Sequence, residues 1–104
     1  MTRLSDPVRL SRPVPREGAE PVREVRLAEP MAGQLRGLSQ LAIVRMEADA
    51  MLTLLPRITR PPLDVRELEA MAPFDFFALS QEAVLFFGAS GAGAAPEDQA
   101  SPTT

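Results

Sequence analysis

The strongest constraint in this chain is the stretch Leu54-Leu55-Pro56-Arg57-Ile58-Thr59-Arg60-Pro61-Pro62-Leu63, which sets three prolines within seven residues between apolar runs. Proline fixes its own φ, lacks an N–H donor and pushes the preceding residue out of the helical region. A helix entering from the N-terminal side is therefore expected to stop before Pro56. Pro56, Pro61 and Pro62 read as a structural corner. They set the angle between two helical segments and so the width of any groove between them.

The segment entering the corner has a clear helical period. Leu41, Val44, Ala48, Met51, Leu52 and Leu55 share one face, whereas Gln40, Arg45, Glu47, Asp49 and Thr53 lie largely off it. With Ser39 as N-cap, one helix is predicted over about 39–55. Beyond the corner, Asp64-Val65-Arg66-Glu67 has the form of a capping box. It opens a short helix over 65–71, with Val65, Leu68 and Met71 on one side. Pro73 suits the first turn of a final helix over 73–87. That helix is apolar almost all round and holds all five phenylalanines of the chain: Phe74, Phe76, Phe77, Phe86 and Phe87.

The N-terminal part reads differently. Val8-Arg9-Leu10 and Val22-Arg23-Glu24-Val25-Arg26-Leu27 alternate, imperfectly in the second case, around the turn residues Pro15-Arg16-Glu17-Gly18. A β-hairpin is predicted over 8–13 and 22–28, with Pro13 and Pro30 confining its strands to edges or ends. Residues 88–104 are low-complexity and expected to stay disordered. The predicted fold is thus mainly α with a short N-terminal β-hairpin: a small domain of about three helices and a disordered C-terminal tail. Its divisions are an irregular arm at 1–20 holding a first strand, a helical domain at 21–87, and the tail at 88–104.

Composition narrows the chemistry. The chain has no Cys, which excludes disulfides and thiolate metal sites, and no His, which removes the commonest general base and metal ligand near neutral pH. Its 14 acidic residues lie on helix faces and in polar arms, so no paired-carboxylate site stands out. Neither catalysis nor a cofactor or metal is expected. The Gly-rich run at 88–93 lacks the Lys-Ser/Thr and flanking elements of a phosphate loop. All 11 basic residues are arginine, interleaved with acids in a chain of net charge −3, which argues against a nucleic-acid face. No apolar run approaches the roughly 20 residues of a membrane span, and the N-terminus has no apolar signal core. The expected location is the cytoplasm.

Size sharpens the reading of the phenylalanines. A domain of about 55 to 65 ordered residues buries only about 60% of its unfolded surface. Three short helices cannot hide five Phe side chains, so an apolar surface covered by another chain is expected, and oligomerisation is one route to it. Core remains the commoner role for such residues, and the methionines Met31, Met46, Met51 and Met71 read first as gap fillers. Arg57 and Arg60 read as exposed cations suited to a helix C-terminus rather than as a carboxylate clamp.

Taken in order, the short β segment, Ala32-Gly33-Gln34-Leu35-Arg36-Gly37-Leu38, the amphipathic helix, the Leu54–Leu63 corner, Met71-Ala72-Pro73-Phe74-Asp75-Phe76-Phe77-Ala78-Leu79 and the closing Phe86-Phe87 resemble the tail assembly chaperones of contractile-tailed, Mu-like phages and related prophages. The resemblance spans roughly residues 8–87. It differs from the family pattern at Phe74 and Phe76-Phe77, where smaller or aliphatic residues are expected. It implies a non-catalytic chaperone in the bacterial host cytoplasm that binds the long helical tape-measure protein and recruits tail tube subunits, yet is absent from the finished virion. It also implies a frameshift-extended form joined at the C-terminal tail. Helix-in-groove recognition fits such a client. The expected contact residues are Leu52, Leu55, Ile58, Phe74, Phe77 and Phe86. The alternative is a small antitoxin-like or transcription-associated regulatory module, which would need a basic groove-facing helix.

Overall fold

A computed structural model describes residues 3–91. Strands β1 (Val8–Val14) and β2 (Val22–Leu27) form the hairpin expected from their alternation. The connecting turn uses Gly18 at φ 69°, a left-handed conformation that glycine adopts without a side-chain clash. Val8, Leu10, Val25 and Leu27 point into the core while Arg9, Arg23 and Arg26 face out. Pairing runs Val8↔Val25 and Arg9↔Glu24, then resumes at Val14↔Val22. Between these points β1 advances five residues (9 to 14) and β2 only two (24 to 22), so the strand bulges and its freed N–H groups need other partners.

The mainly α expectation is corrected by a third strand and by the division of the helices. Among the described residues, a three-stranded antiparallel sheet in the order β1-β2-β3 packs with four α-helices, giving a compact α+β domain. Strand β3 (Thr59–Arg60) lies inside the proline corner and pairs with Arg26 and Leu27. Two residues carry no periodicity, so the sequence offers no sign of this strand. The corner is helix–strand–helix rather than helix–helix, and Pro61 and Pro62 follow the strand on the surface.

The helix predicted over 39–55 is two helices, α1 (Gln40–Val44) and α2 (Ala48–Ile58). Ser39 is the N-cap, its hydroxyl accepting from the Ala42 N–H at 3.2 Å. Helix α1 then closes in a Schellman arrangement: Glu47 N–H donates to the Ala42 carbonyl and Met46 N–H to that of Ile43. Met46 takes the left-handed position usual for glycine, at φ 56°. That conformation costs a non-glycine residue about 1–2 kcal/mol, and the half-buried Met46 side chain packs against the core in return. The break rotates the predicted face. Ile43 is buried, whereas Leu41 and Val44 stand exposed.

Helix α2 does not stop before Pro56 but runs through it to Ile58. An interior proline costs about 3 kcal/mol. Continuing the helix, however, seals Ile58 completely in the core beside Leu55, and such a burial contributes about 1.5–3 kcal/mol. The helix end is also satisfied by the sheet, since Ala28 of the residues following β2 donates to the Ile58 carbonyl at 2.8 Å. Thr59, fully buried, accepts from the Leu63 N–H at 2.9 Å and turns the chain toward α3 (Val65–Glu69).

The capping box at α3 forms as predicted. Asp64 accepts from Glu67 N–H at 2.8 Å and Glu67 accepts from Asp64 N–H at 3.0 Å. Helix α4 (Pro73–Gly91) starts at the expected proline but extends four residues beyond 87. The predicted tail therefore begins in helix, and its remainder, 92–104, lies outside the described residues. At the other end, Leu4 bridges to Ala28, Ser5 N–H donates to the Leu27 carbonyl, and the Ser5 hydroxyl accepts from Leu27 N–H. Residues ahead of position 21 thus contribute Ser5, Val8, Leu10 and Val14 to the buried interior.

Candidate docking surface

Helix α4 is apolar on nearly every side, yet its two faces have different fates. Asp75, Leu79, Ala83 and Phe86, at steps of four, four and three, are buried against the sheet and the other helices. Phe74, Phe77, Gln81 and Leu85, at steps of three, four and four, form the outward stripe. Phe74 is 71% exposed, Phe77 50% and Leu85 57%. No charged side chain stands in the stripe. Three large apolar groups on one helical face, open to solvent, are the kind of patch that marks an interaction site.

The start of α4 is held by an unusual anchor. The Asp75 carboxylate, fully buried, accepts from Ser11 N–H at 2.8 Å, from the Ser11 hydroxyl at 3.0 Å and from Arg12 N–H at 3.2 Å. These donors come from the bulged stretch of β1, where the register with β2 is interrupted between Arg9 and Val14. One carboxylate thereby resolves both the bulge and its own burial.

The six expected contact residues do not form one surface. Phe74 and Phe77 lie together on the α4 stripe. Leu55 and Ile58 are completely enclosed, and Phe86 is buried beneath the cation of Arg3, which sits 5.5 Å from its ring centroid. Leu52, half-buried, lines a groove of about 260 Å³ with Ala48, Leu68, Glu69, Met71 and Phe76. Leu85 was missing from the expected set, although its spacing of eleven residues from Phe74 is three helical turns and places it on the same stripe.

The corner is braced by Arg16, which the sequence did not single out, and by Arg57 and Arg60, which it did. Arg16, in the hairpin turn, donates to the Pro62 carbonyl at 2.7 Å and pairs with Glu67 at 2.9 Å, joining the sheet's loop to the α3 cap. Arg57 donates to the carbonyls of Gln34, within the 3-10 turn Ala32–Leu35, and of Arg36, which caps it, while Arg60 donates to that of Thr59. Both act on backbone carbonyls, in keeping with their reading as exposed cations at a helix end.

Near the far end of the stripe, Arg3, Leu4, Ser5, Asp6, Glu82, Leu85 and Phe86 border a cavity of about 340 Å³. Burial, and then the negative charge of Asp6, push the Glu82 carboxyl above the usual carboxylate range. No helix among the described residues is long and apolar enough to cross a membrane.

Residues 7–88 match the family described as phage tail assembly chaperone proteins, E, or 41 or 14. Tail assembly protein E of Escherichia phage P2 is 39% identical over 79 residues, which is 76% of this chain and 86% of that protein. Tail assembly protein E' of the same phage is also 39% identical over 79 residues, but these are only 55% of its length. No solved structure matches. With most of its length matched, and with a relative covered almost end to end, the chain belongs to the phage tail assembly chaperone family.

Proposed function

We propose that this protein acts as a non-catalytic tail assembly chaperone that docks a helical segment of the tape-measure protein on the outward stripe of α4. The observation that carries the reading is the exposure of Phe74, Phe77 and Leu85 on one uncharged face of a helix whose opposite face is locked in the core. Apolar side chains at helical spacing are complementary to the apolar face of an amphipathic partner helix. With about 200 Å² per phenylalanine side chain, the two exposed rings offer about 240 Å². A stable interface buries about 800 Å² per partner. The stripe therefore suits weak, reversible docking, as a chaperone that leaves the finished particle requires. Recruitment of tail tube subunits, action in the host cytoplasm and a longer C-terminally extended product belong to the same reading. The coexistence of proteins E and E', which match over equal lengths but differ in total length, supports the last of these.

The test is co-expression with the tape-measure protein followed by affinity capture and size-exclusion chromatography. Phe77→Asp is expected to reduce capture at least tenfold while leaving the helical circular dichroism unchanged, because the ring is half open to water. Undiminished capture by this variant, with the fold intact, would remove the α4 stripe from the docking site.

A further inference from the structure

A helix that is apolar all round has no strong hydrophobic preference for which face it buries. In α4, turning by one residue's 100° would exchange much of one apolar face for another, since Phe76, Phe77, Val84, Leu85 and Phe87 are all available to the core. Burial of area alone does not select Phe74 and Phe77 as the outward pair. Asp75 does discriminate. Its carboxylate is fully buried, and among the described residues no cation lies within ion-pairing distance of it. Three donors from Ser11 and Arg12, together with its place in the first turn of α4, compensate its removal from water. A turned helix would carry the carboxylate away from these donors and leave the Ser11 and Arg12 N–H groups of the bulge without this acceptor, losing three charge-assisted hydrogen bonds at once.

We infer that Asp75 is the positioning residue of the docking surface: by joining the first turn of α4 to the bulge of β1, it selects the rotation of α4 that turns Phe74 and Phe77 outward. Buried polar groups are known to set register where apolar contacts are degenerate. The bulge of β1 is the matching half of the device, because its interrupted register coincides with the two N–H groups that Asp75 accepts from. The inference deepens the docking reading and depends on it only for its functional consequence, since the orientation of α4 is measurable without any client.

All five phenylalanines lie on α4, so fluorophenylalanine labelling reports only on this helix. In the unaltered protein five fluorine resonances are expected, with those of Phe74 and Phe77 broadened several-fold more by a soluble paramagnetic agent than those of Phe76, Phe86 and Phe87. In Asp75→Leu, which cannot accept the three hydrogen bonds, that contrast is expected to collapse or the lines to multiply while helical circular dichroism persists. Ser11→Ala keeps both backbone donors and should preserve the contrast. An Asp75→Leu variant that melts earlier yet retains the native exposure contrast would show a purely stabilising role and overturn the inference. Hydrogen exchange in the unaltered protein decides the matter if that variant does not fold. Ser11 and Arg12 amides should exchange as slowly as that of Leu79, and exchange at the rate of an open strand edge would overturn it. Loss of the contrast together with undiminished capture of the tape-measure protein by Phe77→Asp would leave the positioning role standing and remove the docking reading.

Discussion

Helices α2 and α4 are both rich in large apolar residues, but they come to their orientations by different physics. Helix α2 is amphipathic. Asp49, Thr53 and Arg57 occupy one side, and Met51, Leu54, Leu55 and Ile58 the other, so hydrophobic burial alone decides which way it faces. Helix α4 has too few polar residues for that selection, and one buried carboxylate with its donors on β1 makes the choice instead. The difference shows how a small domain keeps a large apolar face exposed. The face is held outward by a polar contact on the other side of the same helix, rather than by any polarity of its own.

The largest expected effect tests the α2 side of this contrast. Leu55→Ala should lower stability by about 2–5 kcal/mol, as buried leucine truncations do, in urea denaturation followed by circular dichroism. The equivalent truncation Phe74→Ala should stay within about 0.5 kcal/mol, as surface changes do. Equal losses at the two positions would break the comparison, because Phe74 would then be core. Next in size is the α3 cap between the two helices. Asp64→Ala removes an acceptor that α3 needs and should cost about 1 kcal/mol in thermal melting, without altering client capture. A change in capture would mean that the corner itself touches the partner.

The smallest effect lies beside the stripe, at Glu82. Its carboxyl titrates above the ordinary value of 4.5 because burial, and secondarily Asp6, disfavour its charge. A raised carboxyl contributes stability that is present below the unfolded value and is lost as pH rises through the folded one. Glu82→Gln should therefore raise the melting temperature slightly at pH 7, with the gain disappearing below pH 4.5. A gain that persists unchanged in acid would attribute the effect to something other than this ionisation.

Local signals were readable wherever a few neighbouring residues suffice to specify structure. The Ser39 cap, the Asp64–Glu67 box, the Gly18 turn, the hairpin alternation and Pro73 at the start of α4 all formed where their chemistry predicts. The proline corner was legible as a feature but not as a geometry. A local rule ends the helix before Pro56, and the burial of Ile58 with its carbonyl bonded to Ala28 carries it on to Ile58. The same limit explains Leu41 and Val44, which share a helical face with Met51 only if the helix is continuous across Met46. Of the candidate surface, the Phe-rich helix was evident, yet which of its phenylalanines face outward was not. Apolar periodicity cannot rank the faces of a helix that is apolar all round.

Residue order thus dictated the elements that rest on short-range chemistry, together with an apolar helix too rich in phenylalanine for a small core to absorb. The pairing of Thr59–Arg60 with Arg26–Leu27, the passage of α2 through a proline and the outward turn of Phe74 and Phe77 came from contacts between residues far apart in the chain. Asp75 stands more than sixty positions from Ser11. No local preference encodes that meeting, and the orientation of the exposed face follows from it.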